Sequence, residues 1–458
     1  MACVRKAALC FINAGDFAQA DEVLRSCAVD EAATQYLLFL AAIKQGLEDK
    51  AIAAVRNIVR CPDLVGKQLL LMASLSHDKG YSNILRCTLD ALVMTIKAGQ
   101  IDPSLQVETI AVVRCLIRLT LIELDKAKIE QVPALLNSVK QHFELTLDVL
   151  EADDRDAKTP TTEMEWLYKT AFNTAISYAD YGDQPTVTDI FNVSGMLMEL
   201  YEKASPSEAV DIELPINKAA AKFACLCGKL FVYREMPEGD DKAILLQQLA
   251  AYLPQCRFDC QCAWLTKAHV NHLDYMLRVI DVFEIEILAT SRDWDGVTTA
   301  MIEMIKRRTE AGEADPDSSL ETAADVLLSF ANCPSEVTLG VIEVLLDAYS
   351  MDSLRDATRV ARWIRAVLVG LLGREDSESE KKALHYVQKA LDVLRKEDSS
   401  IVYPRDEIAW LAAQTWNTGL EKANSVGIDH ARAWCGLALA LAPYTPEGAA
   451  ALTSVSCC

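Results

Sequence analysis

The chain has 458 residues, 51% of them hydrophobic, and a formal net charge of −21. It is too apolar for a disordered chain, and it is long enough for a large core or for many stacked repeats. A negative field repels phosphate backbones, so we do not expect the surface as a whole to bind nucleic acid. No charge-free apolar run could span a bilayer, and Met1–Gly15 lacks a clear signal-peptide cleavage region. These features predict a cytosolic or nuclear protein.

Two helical hairpins are visible within residues 1–62. In each, a glycine marks the turn and an alanine five residues later marks the second helix: Gly15 and Ala20, then Gly46 and Ala51. The two glycines are 31 positions apart. Glycine ends a helix in a left-handed cap, and small residues let paired helices approach closely. This offset predicts a stack of helical hairpins.

Helical periodicity continues to the end of the chain, without an alternating strand pattern. We predict one continuous tetratricopeptide-like α-solenoid over 1–458, a right-handed superhelix of helical hairpins. Thr162–Glu165 fits a capping box for a helix whose apolar run begins at Trp166. The predicted helices are 66–98, 104–123, 126–151, 164–181, 186–203, 215–234, 240–254, 260–290, 294–310, 319–331, 335–349, 355–373, 378–396, 405–424 and 428–441.

Two tracts, EMEWLYKTAFNTA and EIAWLAAQTWNTG, share a pattern of aromatic residues and asparagine. Each contains Trp-Leu and continues to an aromatic residue that is followed directly by asparagine. The asparagine lies seven residues after the first tryptophan. Seven residues are about two helical turns, so tryptophan and asparagine lie on one face. The residues are Trp166, Phe172 and Asn173 in the first tract, and Trp410, Trp416 and Asn417 in the second.

The second tract overlaps a tetratricopeptide repeat in 403–443. Small residues and a proline fall at that repeat's spacing, at Gly419, Ala431, Ala438 and Pro443. Tryptophans at helical spacing are usually core residues. Asn417 differs, because its amide has an acceptor and two donors to satisfy. It either bridges adjacent helices or presents its amide to the backbone of a bound peptide.

Catalytic and metal-binding patterns are weak. Cys256, Cys260, Cys262, His269 and His272 lie close in sequence, but their spacing matches no common structural zinc site. No nucleophile elbow, phosphate-binding loop or dinucleotide-binding glycine pattern is present. We predict neither catalytic activity nor a cofactor, metal or small-molecule substrate; a helical metal- or thiol-dependent enzyme is an alternative.

The fifteen cysteines are expected to be reduced. We expect Cys10, Cys27, Cys115, Cys225 and Cys435 to pack as small hydrophobic residues. The final Cys457-Cys458 pair is similar to a double-prenylation ending but lacks the usual order of a prenylation motif.

Taken together, the tracts resemble the meiosis-specific tetratricopeptide scaffold family of the Spo-twenty-two/Zip-four type, especially its fungal members. The likeness rests on Thr34–Ile43, Glu163–Ile176, Phe283–Val297 and Tyr403–Gly419, of which the two Trp-Leu and aromatic-Asn blocks are specific. Within it, 163–203 is a core block. Family members are longer at the N-terminus, so the resemblance implies a chain that is short there.

The resemblance implies a non-catalytic scaffold in the nucleus, on chromosomes in meiotic prophase. Such a scaffold promotes crossover formation and couples it to assembly of the synaptonemal complex. Its partners would be crossover and synaptonemal-complex proteins, with no direct nucleic-acid or membrane binding. Trp416 and Asn417 would form the partner contact, and the other predicted partner-binding residues are Trp410, Phe172, Asn173 and Trp166. The alternative is a generic tetratricopeptide adaptor in chaperone or trafficking pathways, although no repeated Lys/Arg clamp of the chaperone type is visible.

Overall fold

The computed structural model describes residues 2–98, 109–152, 160–205, 213–264, 269–310, 318–348, 357–374, 376–395, 403–425 and 427–445. They form α-helices and two short 3-10 helices, and these ranges contain no strand. The predicted all-α class is therefore confirmed. No helix in these ranges is long and apolar enough to cross a membrane.

Contacts between Cα atoms group the chain into two compact units. Unit 1 is Met1–Leu245 with Phe258–His269, and unit 2 is Leu246–Arg257 with Val270–Cys458. A single continuous solenoid over 1–458 stays a prediction.

The helices of unit 1 are α1 (Ala2–Ala14), α2 (Phe17–Leu24), α3 (Ala32–Gln45), α4 (Glu48–Ile58), α5 (Gly66–Asp78), α6 (Ser82–Lys97), α7 (Thr109–Leu124), α8 (Val132–Ala152), α9 (Thr161–Ser177), α10 (Gln184–Ala204) and α11 (Leu214–Glu235). Helix α12 (Asp240–Trp264) contributes residues to both units. Those of unit 2 are α13 (Val270–Thr290), α14 (Trp294–Glu310), α15 (Ser318–Ser329), α16 (Ser335–Ala348), α17 (Ala357–Leu372), α18 (Ser377–Arg395), α19 (Arg405–Ser425) and α20 (Ile428–Leu441). The 3-10 helices are Ile129–Gln131 and Ala442–Tyr444.

Within each unit, a helix packs against its neighbour in sequence and against the next helix but one. In unit 1, α3 packs against α4 and also against α1 and α5; in unit 2, α18 packs against α17 and α20. This is the arrangement of stacked hairpins in a tetratricopeptide-like α-solenoid. The alanines predicted to lie between paired helices, Ala20 and Ala51, are fully buried, and so is Ala8 of the first helix.

The first three hairpins turn in the same way. Gly15, Gly46 and Gly80 have φ angles of 82°, 74° and 76°, in the left-handed region. The N–H after each glycine donates to a carbonyl five residues earlier, at 3.0 Å in all three turns. This is the Schellman end of a helix, which glycine adopts without steric cost. The prediction of one helix over 66–98 was therefore wrong, because apolar residues recur at helical spacing on both sides of the Gly80 turn and periodicity does not reveal the turn.

Other predicted details differ from the structure. Helix α9 begins at Thr161 after Pro160, whose φ of −56° suits a helix start, and no side chain caps it. The predicted capping box is therefore wrong. The predicted helix 260–290 is interrupted at His269, which has a φ of 52°. Cys10 and Cys115 are exposed, whereas Cys27 and Cys225 are buried as expected and Cys435 is partly buried.

A buried histidine gives unit 1 a pH dependence. His142 on α8 is 9% exposed, and its Nε2 lies 3.8 Å from the Asp90 carboxylate. Burial, helped by the positive charge of Arg86, lowers the pKa of His142 to about 4 from an ordinary 6.5. Burial also raises the pKa of Asp90 against the opposing effect of Arg86.

Replacing His142 by glutamine should remove part of this pH dependence. As pH falls from 6.5 toward 4, the unfolded chain binds a proton that the folded histidine does not, so the folded state loses stability. At the limit this loss is about 1.4 kcal/mol per pH unit. Urea titration of the original protein and of His142→Gln, at neutral pH and at about pH 5, measures the free energy of unfolding of each and checks this expectation. Equal acid sensitivity of the two chains would contradict it.

Candidate functional site

The two aromatic–asparagine tracts lie on α9 and α19, one in each unit. We call residues 163–176 the first block and 407–420 the second block. In both, the leucine after the first tryptophan and the threonine after the asparagine are buried in the helix interface. The neighbouring face carries the first tryptophan, which is partly buried, and the asparagine, which is exposed. The predicted common face of tryptophan and asparagine is therefore present in both helices.

In unit 1, two arginines of α7 hold the first tryptophan. The guanidinium carbon of Arg114 lies 5.0 Å from the centre of the Trp166 ring, and that of Arg118 lies 5.1 Å from it. Arg114 also forms an ion pair with Glu163, three residues before Trp166. Stacking of guanidinium on an indole face is favourable because the ring face carries negative charge density. These contacts fix the position of Trp166 relative to α7.

Unit 2 repeats this arrangement with residues of α17. The guanidinium carbon of Arg365 lies 4.6 Å from the centre of the Trp410 ring. Its Nη1 is 3.4 Å from the Glu407 carboxylate, and Glu407 again lies three residues before the tryptophan. In each unit, therefore, an arginine lies at the ring of the block's first tryptophan and pairs with the glutamate three residues before that tryptophan.

The second aromatic residue of each block has a different environment. Phe172 packs edge-on against Phe191 of α10, with the ring centres 6.1 Å apart. Trp416 is partly buried, and its indole Nε1 is buried without a hydrogen-bond partner among the described residues. An unpaired buried N–H is destabilising.

The asparagines face solvent. Asn173 and Asn417 are exposed, and neither amide forms a hydrogen bond within the described part of the chain. Of the two expectations for Asn417, this geometry favours an amide presented outward over one that bridges helices. An outward amide offers both a donor and an acceptor, which suits a peptide backbone.

The hairpin that carries the second block is tightly packed. A Cβ built on Gly419 would lie 2.8 Å from the Cys435 Sγ, so α19 and α20 approach closely at this point. Ala431 and Ala438 are 5% and 0% exposed, as the repeat spacing predicts. Pro443 lies in the 3-10 helix that follows α20.

A carboxylate links three helices beneath this hairpin. Glu380 on α18 accepts hydrogen bonds of 3.1 Å from Trp434 Nε1 and from Lys422 Nζ. Burial of Glu380 acts to raise its pKa, but these two hydrogen bonds and the charge of Lys422 outweigh burial and lower it. Glu380 therefore stays ionised and holds α19 and α20 against α18.

The cysteines and histidines that lie close together in sequence differ in their exposure to solvent. Cys256 and Cys260 are buried, whereas Cys262, His269 and His272 are exposed. Across the described ranges, no group of three or more His, Cys, Asp or Glu side chains is arranged to hold a metal ion. Cys457 and Cys458 lie outside the described residues.

Sequence reasoning identified the blocks but not the arginines that hold them. The one local indication is that a glutamate precedes the first tryptophan by three residues in both blocks. Arg114 and Arg365 lie 49 and 42 residues before their glutamates, and no local pattern indicates such a contact.

Comparison with protein-family models gives no match, and comparison with curated proteins gives none either. Among solved structures, the chain is similar to a circular tandem repeat protein with novel repeat topology and enhanced subunit contact surfaces. That similarity has 13% identity, a TM-score of 0.23, and coverage of 96% of this chain and 94% of the other. The structure of Naa15/Naa10 bound to HypK-THB matches at 12% identity and a TM-score of 0.19, over 100% of this chain and 70% of the other. Such low TM-scores carry no information about function. The fold assignment rests on the helix pairs described above.

Proposed function

We propose that this protein is a non-catalytic scaffold that binds segments of other proteins through exposed asparagines beside tryptophans held by arginines. The exposed Asn417 amide is the observation that carries the proposal, because it has no hydrogen-bond partner within the described chain. It lies on the same face as Trp410 and next to Trp416. Aromatic side chains supply apolar contact area, and the amide fixes the register of a bound backbone.

The sequence resemblance gives the proposal its biological setting. We infer that the scaffold acts in the nucleus, on chromosomes in meiotic prophase. There it promotes crossover formation and couples it to assembly of the synaptonemal complex, and its partners are proteins of those two processes. The two recurring blocks support this assignment, because they are the specific part of the resemblance.

Replacing Asn417 by glutamine tests the site. The longer side chain keeps the amide but moves it by one methylene, so we expect an unchanged melting temperature and weaker capture of synaptonemal-complex proteins from meiotic extract. Asn424→Gln is the matched control, because Asn424 is an exposed asparagine on the same helix outside the second block.

A second substitution separates the asparagine from its neighbour. Trp416→Phe gives the second block a phenylalanine at the position that Phe172 occupies in the first block. It also removes a buried N–H that has no hydrogen-bond partner among the described residues. We expect its stability to stay within about 1 kcal/mol of the original chain, with capture retained.

The same experiment separates the alternatives. Full capture by Asn417→Gln would remove the proposed site, and loss of both melting temperature and capture would make Asn417 structural. Equal capture of the same proteins from meiotic and vegetative extracts would favour a generic adaptor.

A further inference from the structure

Each unit exposes a similar strip of side chains around its held tryptophan. Surface 1 consists of Arg118, Ile122, Trp166, Asn173 and Ile176, and surface 2 consists of Arg365, Val369, Trp410, Asn417 and Leu420. The four aliphatic side chains are exposed: Ile122 51%, Ile176 53%, Val369 59% and Leu420 44%. Ile176 and Leu420 occupy the same place, three residues after the asparagine. Both surfaces therefore combine an indole, an outward amide and exposed aliphatic groups.

One difference between the two surfaces changes their charge. Arg114 and Arg365 correspond, because each pairs with the glutamate of its block and stacks on the tryptophan. Four residues further along the same helix face, unit 1 has Arg118 where unit 2 has Val369. Surface 1 thus carries a cation where surface 2 carries an aliphatic side chain.

Among the described residues, Arg118 has no carboxylate partner. Arg114 has Glu163 as its carboxylate, whereas Arg118 is exposed and forms no ion pair within the described ranges. Its guanidinium is held at the Trp166 ring, 5.1 Å from the ring centre. In a chain of net charge −21, such a cation is a local exception that attracts a carboxylate.

We propose that surface 1 binds an extended peptide segment of a partner protein, in which an acidic residue lies beside apolar residues. Arg118 would pair with the carboxylate of the peptide, and Ile122 and Ile176 would contact its apolar side chains. Asn173 would form hydrogen bonds with its backbone. Surface 2 binds a related segment that has an apolar residue in place of the acidic one. This inference rests on the proposed scaffold function. It implies that the chain binds two distinct peptide segments of partner proteins.

A peptide fits this surface better than a nucleic acid does. Phosphate backbones are bound by several cations acting together, and they are repelled by a strongly acidic protein. Surface 1 offers the Arg118 cation, which has no ion pair among the described residues, beside apolar side chains, and this suits a single carboxylate within an apolar segment.

Selection of displayed random-sequence peptides on the full chain tests this proposal. We expect selected peptides to contain Asp or Glu beside aliphatic or aromatic residues. One such peptide is then compared with its twin in which Asp and Glu are replaced by Asn and Gln. The twin should bind roughly tenfold more weakly, because it loses a hydrogen bond between charged groups.

Substitutions at Arg118 and Val369 test the charge difference between the two surfaces directly. Arg118→Val should weaken binding of the acidic peptide roughly tenfold and remove the salt dependence of its affinity. In the Arg118→Val background, Val369→Arg should restore salt-dependent binding, now at surface 2. Arg432→Gln is the control, because Arg432 is a 77% exposed arginine of α20 outside both surfaces, and it should change nothing.

Several outcomes would overturn the proposal. These are selected peptides without acidic residues, acidic peptides whose affinity is unchanged in Arg118→Val, and selective binding of single-stranded nucleic acid that depends on Arg118. Melting curves confirm that each variant is folded. If Asn417→Gln loses its meiotic partners but no peptide depends on Arg118, the inference fails alone. If acidic peptides depend on Arg118 but meiotic extract yields no partner, the meiotic function fails alone.

Discussion

Replacing Trp434 by alanine is expected to lower the free energy of unfolding of the C-terminal hairpins by about 3–5 kcal/mol. The Trp434 side chain is 1% exposed and belongs to the core of unit 2, so its removal leaves a large cavity between packed helices. The same change deprives Glu380 of a hydrogen bond of 3.1 Å. Urea unfolding followed by far-UV circular dichroism measures the loss, and hydrogen exchange in α19 and α20 shows whether it is local.

Trp434→Phe distinguishes the contribution of the ring from that of its N–H. Phenylalanine keeps most of the buried apolar volume but cannot donate to Glu380, so we expect a smaller loss of about 2 kcal/mol. Because the folded-state pKa of Glu380 is lowered, its contribution is present at neutral pH and is lost as pH falls through that pKa. Unchanged stability of Trp434→Ala would contradict the burial of the ring.

Replacing Asp259 by alanine is expected to destabilise unit 1 by about 3–5 kcal/mol, because it leaves a buried ammonium without its main counterion. Lys222 is 6% exposed and Asp259 is 4% exposed, and their charged atoms are 2.7 Å apart. Lys222 also pairs with Glu199, and Lys218 lies 3.7 Å from the other Asp259 oxygen. Thermal and urea unfolding of the full chain measure the loss.

Burial acts to lower the pKa of Lys222, but hydrogen bonds with Asp259 and Glu199 outweigh burial and raise it. The stabilisation is therefore complete below the ordinary lysine pKa of 10.5 and is lost as pH rises through the folded-state value. The control is the double variant Asp259→Leu with Lys222→Met, which removes both charges. We expect it to be more stable than Asp259→Ala, because no unpaired charge remains. A double variant as unstable as the single one would mean that packing, not charge, dominates.

Much of the fold could be predicted from short-range sequence patterns. Gly15 and Gly46 mark turns, and Ala8, Ala20 and Ala51 mark close helix contacts, because each requirement acts within one hairpin. The third hairpin was not predicted, although Gly80 turns in the same way as Gly15 and Gly46. Apolar residues recur at helical spacing on both sides of Gly80, and periodicity alone cannot show that the chain reverses there.

The candidate site was predicted in part. Spacing placed Trp166 with Asn173, and Trp410 with Asn417, on one helix face, because that relation depends on helix geometry alone. Whether an amide faces solvent or a neighbouring helix depends on what packs beside it. The exposure of both asparagines, the burial of Trp434 and the lack of a described partner for the Trp416 indole N–H therefore could not be derived from spacing.

The sequence by itself determined the all-helical class, the small residues between paired helices and the two recurring blocks. Each depends on residues within one or two helical turns or within one hairpin. The tertiary structure alone decided that Arg114 and Arg365 hold the two tryptophans, that Arg118 also lies at the Trp166 ring, and that Lys222 is buried against Asp259. These contacts join residues on different helices, 37 to 52 positions apart. Their formation depends on how the helices stack, because side chains so distant in sequence meet only when the packing of the helices brings them together.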